Sequence, residues 1–172
     1  MNINELHRTR IANDYKEMCC IQSSPMVSWA ATKGVAPYVE EYLLTINVKT
    51  YCSPTTTMNQ CKVRIVLPPN YPTVAPNAIM EGTMVYHPNW FQNTHRWCCG
   101  NYRMSESLGN YVVRMIQTLQ FDPVVTFPDD PADKKIAVWY KRHMNDKKMF
   151  PTDKQPLPNP NPVKVSGFRR IR

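Results

Sequence analysis

The sequence predicts an α+β fold in which an antiparallel meander sheet of about four strands is backed by helices. Apolar residues recur at helical spacing near the amino end and again twice in the carboxyl half. Between these regions, apolar and polar residues alternate in segments that are separated by proline-rich turns. The predicted order is therefore a helix, the strands, a long irregular loop and two further helices.

A first helix is predicted over residues 3–19, because Asn2 or Asn4 can cap its amino end. Its apolar stripe comprises Leu6, Ile11, Tyr15 and Met18. Arg8, Arg10 and Lys16 lie on its solvent-facing sides. The helix is therefore predicted to be amphipathic.

Strands are predicted where apolar and polar residues alternate. Residues 42–51 form the first predicted strand, residues 62–68 the second, and residues 77–86 a further one. The inward positions of the first two are Tyr42, Leu44, Ile46, Val48, Val63, Ile65 and Leu67. Residues 53–59 are predicted to form a loop, and residues 68–76 contain four prolines, which excludes a regular central strand.

Helical periodicity returns in the carboxyl half. Residues 108–121 are predicted to form a helix, and a proline-bounded turn at residues 127–131 separates it from a last helix over residues 133–149. The buried stripe of the first of these two helices comprises Val112, Met115, Ile116 and Leu119. The last helix has at helical spacing Ile136, Trp139, Tyr140 and His143.

The net charge of +8 is concentrated at the carboxyl end. Residues 1–133 contain 10 Lys and Arg against 11 Asp and Glu, whereas residues 134–172 contain 11 against 2. Because the body is nearly neutral, binding of nucleic acid would depend on this end alone, and no known nucleic-acid motif is present. A membrane is not an expected partner either, because no apolar run approaches the ~18 residues that span a bilayer.

Residues 151–172 are predicted to form a proline-rich basic tail that follows a domain of residues 1–150. The five prolines of the tail favour extended polyproline-II chain and exclude a helix. Two interpretations remain open, a solvated linker or a partner-binding segment that ends in residues 168–172.

The cysteines indicate a reduced compartment. Six cysteines fall as two adjacent pairs and two single residues, which is too sparse for a disulfide scaffold of this length. The amino end also lacks the apolar core of a secretion signal. We therefore expect a cytoplasmic protein.

Three motifs converge on the irregular region before the second helix: YHPNW at residues 86–90, WCCG at residues 97–100 and PDDP at residues 128–131. An exposed cysteine can act as a nucleophile, and sulfur suits thioester chemistry because it both attacks and leaves well. An asparagine amide can donate a hydrogen bond to an oxyanion, and a carboxylate can orient an amine and favour its deprotonation. Each residue type also has an ordinary structural role, as a loop cap, a small apolar filler or a turn residue.

Taken in order, these motifs make residues 3–150 resemble the ubiquitin-conjugating enzyme family. YHPNW matches the family's His-Pro-Asn motif, and WCCG follows near the distance at which the active cysteine is expected. The remaining matches are LPPNYPTVAP (67–76) with the proline-rich turn after the third strand, SESLGNYVVRMIQTLQFDP (105–123) with the crossover helix, and PDDP with the acidic turn that faces the cysteine.

The resemblance implies a conjugating enzyme. Cys98 would accept the carboxyl terminus of ubiquitin or a ubiquitin-like protein as a thioester and pass it to a lysine amine or to a ligase. Asn89 would support the oxyanion or the geometry of the active-site loop, His87 would fix that loop, and Asp130 would position and desolvate the attacking lysine. No bound cofactor or metal is expected, because the partner activating enzyme consumes the ATP.

The resemblance also implies three partners: an activating enzyme, a ubiquitin-like modifier and a ligase. Docking of the activating enzyme would involve Arg8, Arg10 and Lys16. The loops that often meet a ligase correspond to Thr73, Val74 and Ala75, together with residues 105–108.

The adjacent cysteines leave two candidates for the acceptor, of which Cys98 fits better than Cys99. The family has a bulky apolar residue immediately before its cysteine, and Trp97 fills that place for Cys98. The spacing from Asn89 to Cys98 is already one residue longer than the family pattern, and Cys99 would make it two longer. Neighbouring residues of an extended chain point in opposite directions, so only one thiol should face the groove.

The sequence departs from the family pattern in several places. Residues 90–97 replace the usual small, polar, glycine-containing stretch, and His95 within them could influence the thiolate or be an ordinary exposed loop histidine. Two extra residues separate Asp122-Pro123 from PDDP, and we expect the family's final helix to be missing. These differences indicate a divergent member, such as one of a bacterial or phage-related ubiquitin-like pathway.

Besides nucleic-acid binding through the basic end, two other functions remain as alternatives. A non-catalytic variant of the same fold would act as a binding scaffold, although such variants usually lack the cysteine. A zinc module would use Cys98, Cys99, His95 and His87, but the sequence has no paired ligands of the Cys-x-x-Cys type.

Overall fold

A computed structural model of the protein describes residues 2–161. Their order of helices and strands confirms the predicted α+β class. The elements are α1 (Ile3–Ile21), β1 (Val27–Val35), β2 (Tyr38–Ile46), β3 (Thr50–Tyr51), β4 (Thr57–Met58), β5 (Cys61–Val66), β6 (Asn77–Glu81), α2 (Leu108–Leu119) and α3 (Lys134–His143).

Strands β1, β2, β5 and β6 form one antiparallel sheet in that order. Successive strands of the sheet are neighbours, which confirms the four-strand meander, and β3 and β4 form a small separate hairpin. Helix α1 packs against β2 and α2, so the main core lies between these helices and the sheet.

Helix α1 begins at a cap formed by Asn2. The Asn2 side chain accepts a hydrogen bond from the Asn4 amide (3.2 Å), and the Asn2 amide donates one to Glu5 (3.1 Å). Ile11 and Met18 are buried as predicted, whereas Leu6 is 53% exposed and its assignment to the buried stripe is wrong. The reason is that the first turns of α1 border an open groove.

Strand β1 has no counterpart among the predicted strands, because its residues do not alternate and most of them are exposed at the edge of the sheet. The turn that joins it to β2 requires a glycine at position 34. Gly34 has a φ of +89°, and a Cβ atom there would lie 2.3 Å from the Tyr38 carbonyl oxygen. Strand β2 begins at Tyr38, earlier than residue 42, and ends at Ile46.

Both predicted carboxyl-half helices are present. The predicted stripe of α2 (Val112, Met115, Ile116 and Leu119) is fully buried. Helix α3 ends at His143, well before residue 149, because Asp146 organises a turn there. The Asp146 carbonyl accepts hydrogen bonds from the Met149 and Phe150 amides (3.0 Å each), and its side chain accepts one from the Lys148 amide (2.9 Å).

A second, smaller core attaches α3 to the body of the domain. We call it the aromatic cluster, and it consists of Tyr51, Phe121, Tyr140 and Phe150. The rings of Phe121 and Phe150 lie 5.0 Å apart, and those of Tyr140 and Phe150 also lie 5.0 Å apart. The cluster thus joins β3, the end of α2, α3 and the chain after α3.

Residues 152–160, which we call the strap, run back along α2. The Thr152 amide donates to the Gln120 carbonyl (2.9 Å), and Pro160 packs so closely on Gly109 that a Cβ atom there would lie 2.6 Å from it. Pro158 and Pro160 are buried, so a solvated linker is wrong for this part of the tail. The segment 168–172 lies outside the described residues, and the division at residue 150 stays a prediction.

No helix within residues 2–161 combines the length and the apolar character that crossing a bilayer requires.

Candidate active site

The segment before Cys98 is held as a short extra strand beside β6. The Met80 amide donates to the His95 carbonyl (2.8 Å), and the Trp97 amide donates to the Ala78 carbonyl (2.9 Å). Trp97 also pairs with Trp90, so residues 90–97 form a small hairpin. This hairpin accounts for the unusual length and composition of the segment.

Trp97 anchors the hairpin in the core. It is only 7% exposed, and its ring lies 5.0 Å from that of Tyr111 on α2. The Cys98 amide donates to the Asn89 carbonyl (2.8 Å), which fixes the backbone of the cysteine against the His-Pro-Asn segment. Cys98 itself is half-buried and lies at the surface beyond Trp97.

Cys98 lines a cleft of about 460 Å³. Asn89 and Asp130 line the same cleft, whereas His87 and His95 do not. The other lining residues are Cys99, Gly100, Asn101, Arg114, Thr126, Phe127, Pro128 and Asp129. Three of the four predicted catalytic residues are therefore brought together.

The Asn89 side chain clamps the far wall of the cleft. Its Oδ1 accepts a hydrogen bond from the Phe127 amide (2.9 Å), and its Nδ2 donates a long one to the Phe127 carbonyl (3.4 Å). Asn89 is 2% exposed. The side-chain amide of Asn89 therefore supports the loop that leads into the acidic turn. The hydrogen bond from Nδ2 is the longer of the two, so Nδ2 is held less tightly than Oδ1.

His87 lies beneath the site and is fully buried. Its Nδ1 accepts a hydrogen bond from the Asn89 amide (3.0 Å), and its ring packs 4.2 Å from that of Phe121. Burial lowers the pKa of His87 to about 3, so the ring is neutral near pH 7. Because Nδ1 is the acceptor, the proton of the neutral ring is assigned to Nε2.

The two aspartates of the acidic turn differ in their partners. Asp129 pairs with Lys141 of α3 at 2.6 Å. Asp130 is exposed, and among residues 2–161 no ion pair or side-chain hydrogen bond engages its carboxylate. Asp130 is therefore the carboxylate of this turn that remains free to meet an incoming amine.

Cys99 lines the same cleft as Cys98, so the expectation that only one of the two would face it is not met. Directly after the two cysteines the chain turns at Gly100, which has a φ of +65°. Cys99 packs against the main core, and burial raises the pKa of its thiol. This environment disfavours a Cys99 thiolate.

Arg114 lines the cleft but was not among the predicted site residues, although it lies within the segment matched to the crossover helix. It forms a two-pronged ion pair with Glu106 (2.7 and 2.9 Å) and donates to the Cys99 carbonyl. Its guanidinium also lies 4.9 Å from the centre of the Trp97 ring. Cys99 and Glu106 lie at the two ends of the loop that follows the cysteines. Arg114 thus links both ends of this loop to α2.

The predicted position of Arg10 on a solvent-facing side of α1 is wrong, because the side chain is half-buried. Its guanidinium pairs with buried Asp14 (2.8 Å) and donates to the Met104 carbonyl (2.7 Å) and the Tyr71 hydroxyl (2.9 Å). The helical spacing could not reveal this, because the loops that supply these partners are distant in sequence. Arg10 is a structural link between α1 and the loop before α2.

The other predicted docking residues lie at the surface to different degrees. Arg8 is exposed and stacks 4.0 Å above the Tyr38 ring, and Lys16 is exposed. Thr73 and Val74 are exposed and Ala75 is half-buried. Thr73 also lines a groove of about 620 Å³ between the start of α1 and residues 69–73 and 104–105.

No group of three or more His, Cys, Asp or Glu side chains within residues 2–161 is arranged to hold a metal ion. The four residues named for a zinc module are therefore not assembled into one.

The helices, the four-strand meander and the cleft at its edge define a ubiquitin-conjugating-type α+β fold. The solved structures that resemble it include the following two. The E2 domain of a Toxoplasma gondii ubiquitin conjugating enzyme has a TM-score of 0.53 and 21% identity, over 77% of this chain and 87% of that one. A candidate ubiquitin conjugating enzyme from Plasmodium yoelii has a TM-score of 0.55 and 19% identity, over 78% of this chain and 85% of that one.

These similarities confirm the fold that the motifs predicted. No protein-family model matches the sequence, and no curated protein matches it either. The chain is thus a divergent representative of the ubiquitin-conjugating fold.

Proposed function

We propose that the protein is a conjugating enzyme that carries ubiquitin or a ubiquitin-like protein as a thioester on Cys98. The observation that carries this proposal is the common cleft of Cys98, Asn89 and Asp130, with a half-buried thiol at one wall and an unpaired carboxylate at the other. The fold similarity supports the same class of activity.

The first step is thioester exchange. The Cys98 sulfur, after losing its proton, attacks the carbonyl carbon of the modifier thioester on the activating enzyme. A new C–S bond forms, the old one breaks, and the sulfur of the activating enzyme leaves and takes up a proton. The raised pKa of Cys99 supports Cys98 over its neighbour as the acceptor.

The second step transfers the modifier to an amine or to a ligase cysteine. A lysine amine attacks the thioester carbon, the C–N bond forms, and the C–S bond to Cys98 breaks. In this proposal Asp130 orients the amine and favours its deprotonation, and the proton returns to the leaving sulfur. Asn89 acts by holding the Phe127 backbone, so that the acidic turn stays opposite the cysteine.

The partners follow from this reaction. An activating enzyme would consume the ATP, so the conjugating chain needs no bound cofactor. Arg8 and Lys16, which are exposed on α1, remain the proposed contacts for that enzyme. The groove lined by Thr73 is the proposed ligase face, with Val74 and Ala75 beside it. A free thiol is required, which supports a reducing compartment such as the cytoplasm.

A loading assay tests the proposal. The full chain is mixed with ubiquitin, its activating enzyme and ATP, and then separately with ubiquitin-like modifiers and their own activating enzymes, and run without reductant. We expect a conjugate that thiols cleave with at least one modifier. Cys98→Ser should give a reductant-resistant ester, Cys98→Ala should give none, and the matched control Cys99→Ser should load normally.

Two outcomes would contradict the assignment. Loading that persists in Cys98→Ala and disappears in Cys99→Ser would transfer the acceptor role to Cys99. Absence of a conjugate with every modifier, while the chain still binds one of them, would favour the non-catalytic scaffold instead.

A further inference from the structure

The outer face of α3 carries a groove of about 370 Å³ that the proposed reaction does not use. Lys135, Val138 and Arg142 follow one another at spacings of three and four residues, so they lie along one stripe of the helix. Trp139 and Tyr86 form the inner wall, with ring centres 5.0 Å apart. We call this site the α3 groove; His143 completes its lining.

The α3 groove combines free cations with an exposed apolar residue. Val138 is 50% exposed between Lys135 and Arg142. The cations of residues 134–148 are Lys134, Lys135, Lys141, Arg142, Lys147 and Lys148. Within residues 2–161, only Lys141 of this set forms an ion pair. The two cations of the groove are therefore available to an anionic partner.

The α3 groove and the catalytic cleft lie on two sides of the same loop. Tyr86 of the groove directly precedes the His-Pro-Asn motif, and the Pro88 carbonyl accepts a hydrogen bond from Asp133, the cap of α3 (3.1 Å). Asp129 of the cleft pairs with Lys141 of α3. A protein that presents a lysine to Cys98 is therefore brought close to this face.

We propose that the α3 groove binds an acidic segment of the target protein, close in sequence to the lysine that is modified. This inference rests on the proposed function. Lys135 and Arg142 would pair with Asp or Glu side chains, and Val138 would contact an apolar residue between them. Lys135 and Arg142 are about 10 Å apart along the helix, which about three residues of extended chain can span.

The shape of the groove favours a peptide over a nucleic acid. Nucleic acids stack their bases on exposed aromatic faces within long cationic tracks. Here Trp139 is half-buried and its ring packs 5.1 Å from Tyr51 of the aromatic cluster. The outer face of the groove consists of Lys135, Val138 and Arg142, which suit a few acidic residues.

A binding experiment tests the site without any thioester. The probe is a fluorescent peptide with one lysine, one leucine and four glutamates, and it is compared with a version that has glutamine for glutamate. Binding to the full chain is followed by anisotropy at about 0.15 M salt, where the Debye length is about 8 Å. Lys135→Glu/Arg142→Glu should weaken binding of the acidic peptide about tenfold, because two attractive contacts become repulsive. The glutamine peptide should bind weakly to every variant.

The matched control is Lys147→Glu/Lys148→Glu, which makes the same change of charge beyond the end of α3. This control should weaken binding by less than about twofold, because exposed charges outside the groove are screened by salt. The milder pair Lys135→Gln/Arg142→Gln should give an intermediate loss, and urea melts verify that all variants fold. Equal losses in the groove and control variants would overturn the proposal.

A second experiment measures transfer of the modifier from loaded Cys98. The groove variant should raise the KM for the acidic peptide about tenfold while loading and transfer to free lysine stay unchanged. If the wild-type chain never loads but binds the acidic peptide through Lys135 and Arg142, the docking site stands and the proposed function fails. The acidic-segment assignment would be overturned if a single-stranded oligonucleotide bound more tightly than the acidic peptide and if the groove variant lost that oligonucleotide binding.

Discussion

The side chain of Asn89 brackets the backbone of Phe127, accepting a hydrogen bond from its amide at 2.9 Å and donating one to its carbonyl at 3.4 Å. The backbone carbonyl of Asn89 meanwhile accepts a hydrogen bond from Cys98. One residue therefore connects the cysteine wall of the cleft to its acidic wall. The position of Asp130 relative to Cys98 depends on this connection.

Replacing Asn89 with Ala should loosen the acidic wall. The Phe127 amide would lose its partner, so we expect a loss of about 1–2 kcal/mol in the free energy of unfolding. Transfer to lysine should slow more than loading, because only the second step uses Asp130. Urea unfolding and single-turnover transfer assays measure the two effects. Asn93→Ala, at the exposed tip of the hairpin, is the control, and equal effects of both substitutions would contradict this role.

Asp130→Asn should separate the two steps of the reaction. Loading does not involve an amine, so its rate should be unchanged, whereas transfer to free lysine should fall by at least about tenfold. Asp129→Asn is the matched control, because Asp129 is already paired with Lys141. Quenched-flow transfer assays compare the two. A larger loss in the Asp129 variant would show that the wrong carboxylate was assigned.

His87 should make the stability of the fold depend on pH. Burial lowers the pKa of His87 to about 3, whereas a histidine of the unfolded chain has a pKa of about 6.5. Between these two values the unfolded chain binds a proton at His87 and the folded chain does not. The stabilising contribution is complete above about pH 6.5 and is lost as the pH falls toward 3, by up to about 1.4 kcal/mol per pH unit.

Denaturant melts between about pH 7 and 5 measure this dependence, since most carboxylates stay ionised in that range. His87→Gln should flatten the profile although it destabilises the protein overall. His95→Gln, at the exposed tip of the hairpin, should retain the slope of the wild type. A slope that survives in His87→Gln would assign the effect to other groups.

Arg114 should matter for the order of the loop after the cysteines. Arg114→Met would leave Glu106 half-buried without its partner and remove the donor to the Cys99 carbonyl. We expect a loss of about 1–3 kcal/mol in stability and slower loading. In a double-mutant cycle with Glu106→Gln, a coupling energy of about 1 kcal/mol is expected. Purely additive effects would contradict the ion pair.

The strap should contribute to stability through its packing on α2. A chain that ends after Phe150 would lack the buried residues Pro158 and Pro160 and would uncover the surface of α2 at Gly109 on which Pro160 packs. We expect its free energy of unfolding to fall by about 1–3 kcal/mol. Gly109→Ala should also destabilise the fold, because its Cβ atom would lie 2.6 Å from Pro160 and 2.6 Å from Oε2 of Glu17. A chain that ends after Asn161 is the control. An unchanged unfolding midpoint in the shorter chain would exclude the contribution.

Sequence patterns were sufficient where a residue's environment is set by its neighbours along the chain. The buried stripe of α2 is of this kind. They were insufficient where the partners are distant: Arg10 bonds to loops near residues 71 and 104, and Arg114 to Glu106 and Cys99. Strand β1 was missed because an exposed edge strand need not alternate.

The aromatic cluster has a further consequence for the behaviour of α3 over time. Its members Tyr51 and Phe150 come from distant parts of the chain, and no part of α3 belongs to the larger core. Such an arrangement allows α3 to open as a separate cooperative unit while the sheet and α2 remain intact. Native-state hydrogen exchange should therefore show the amides of α3 exchanging at a lower opening free energy than those of α2.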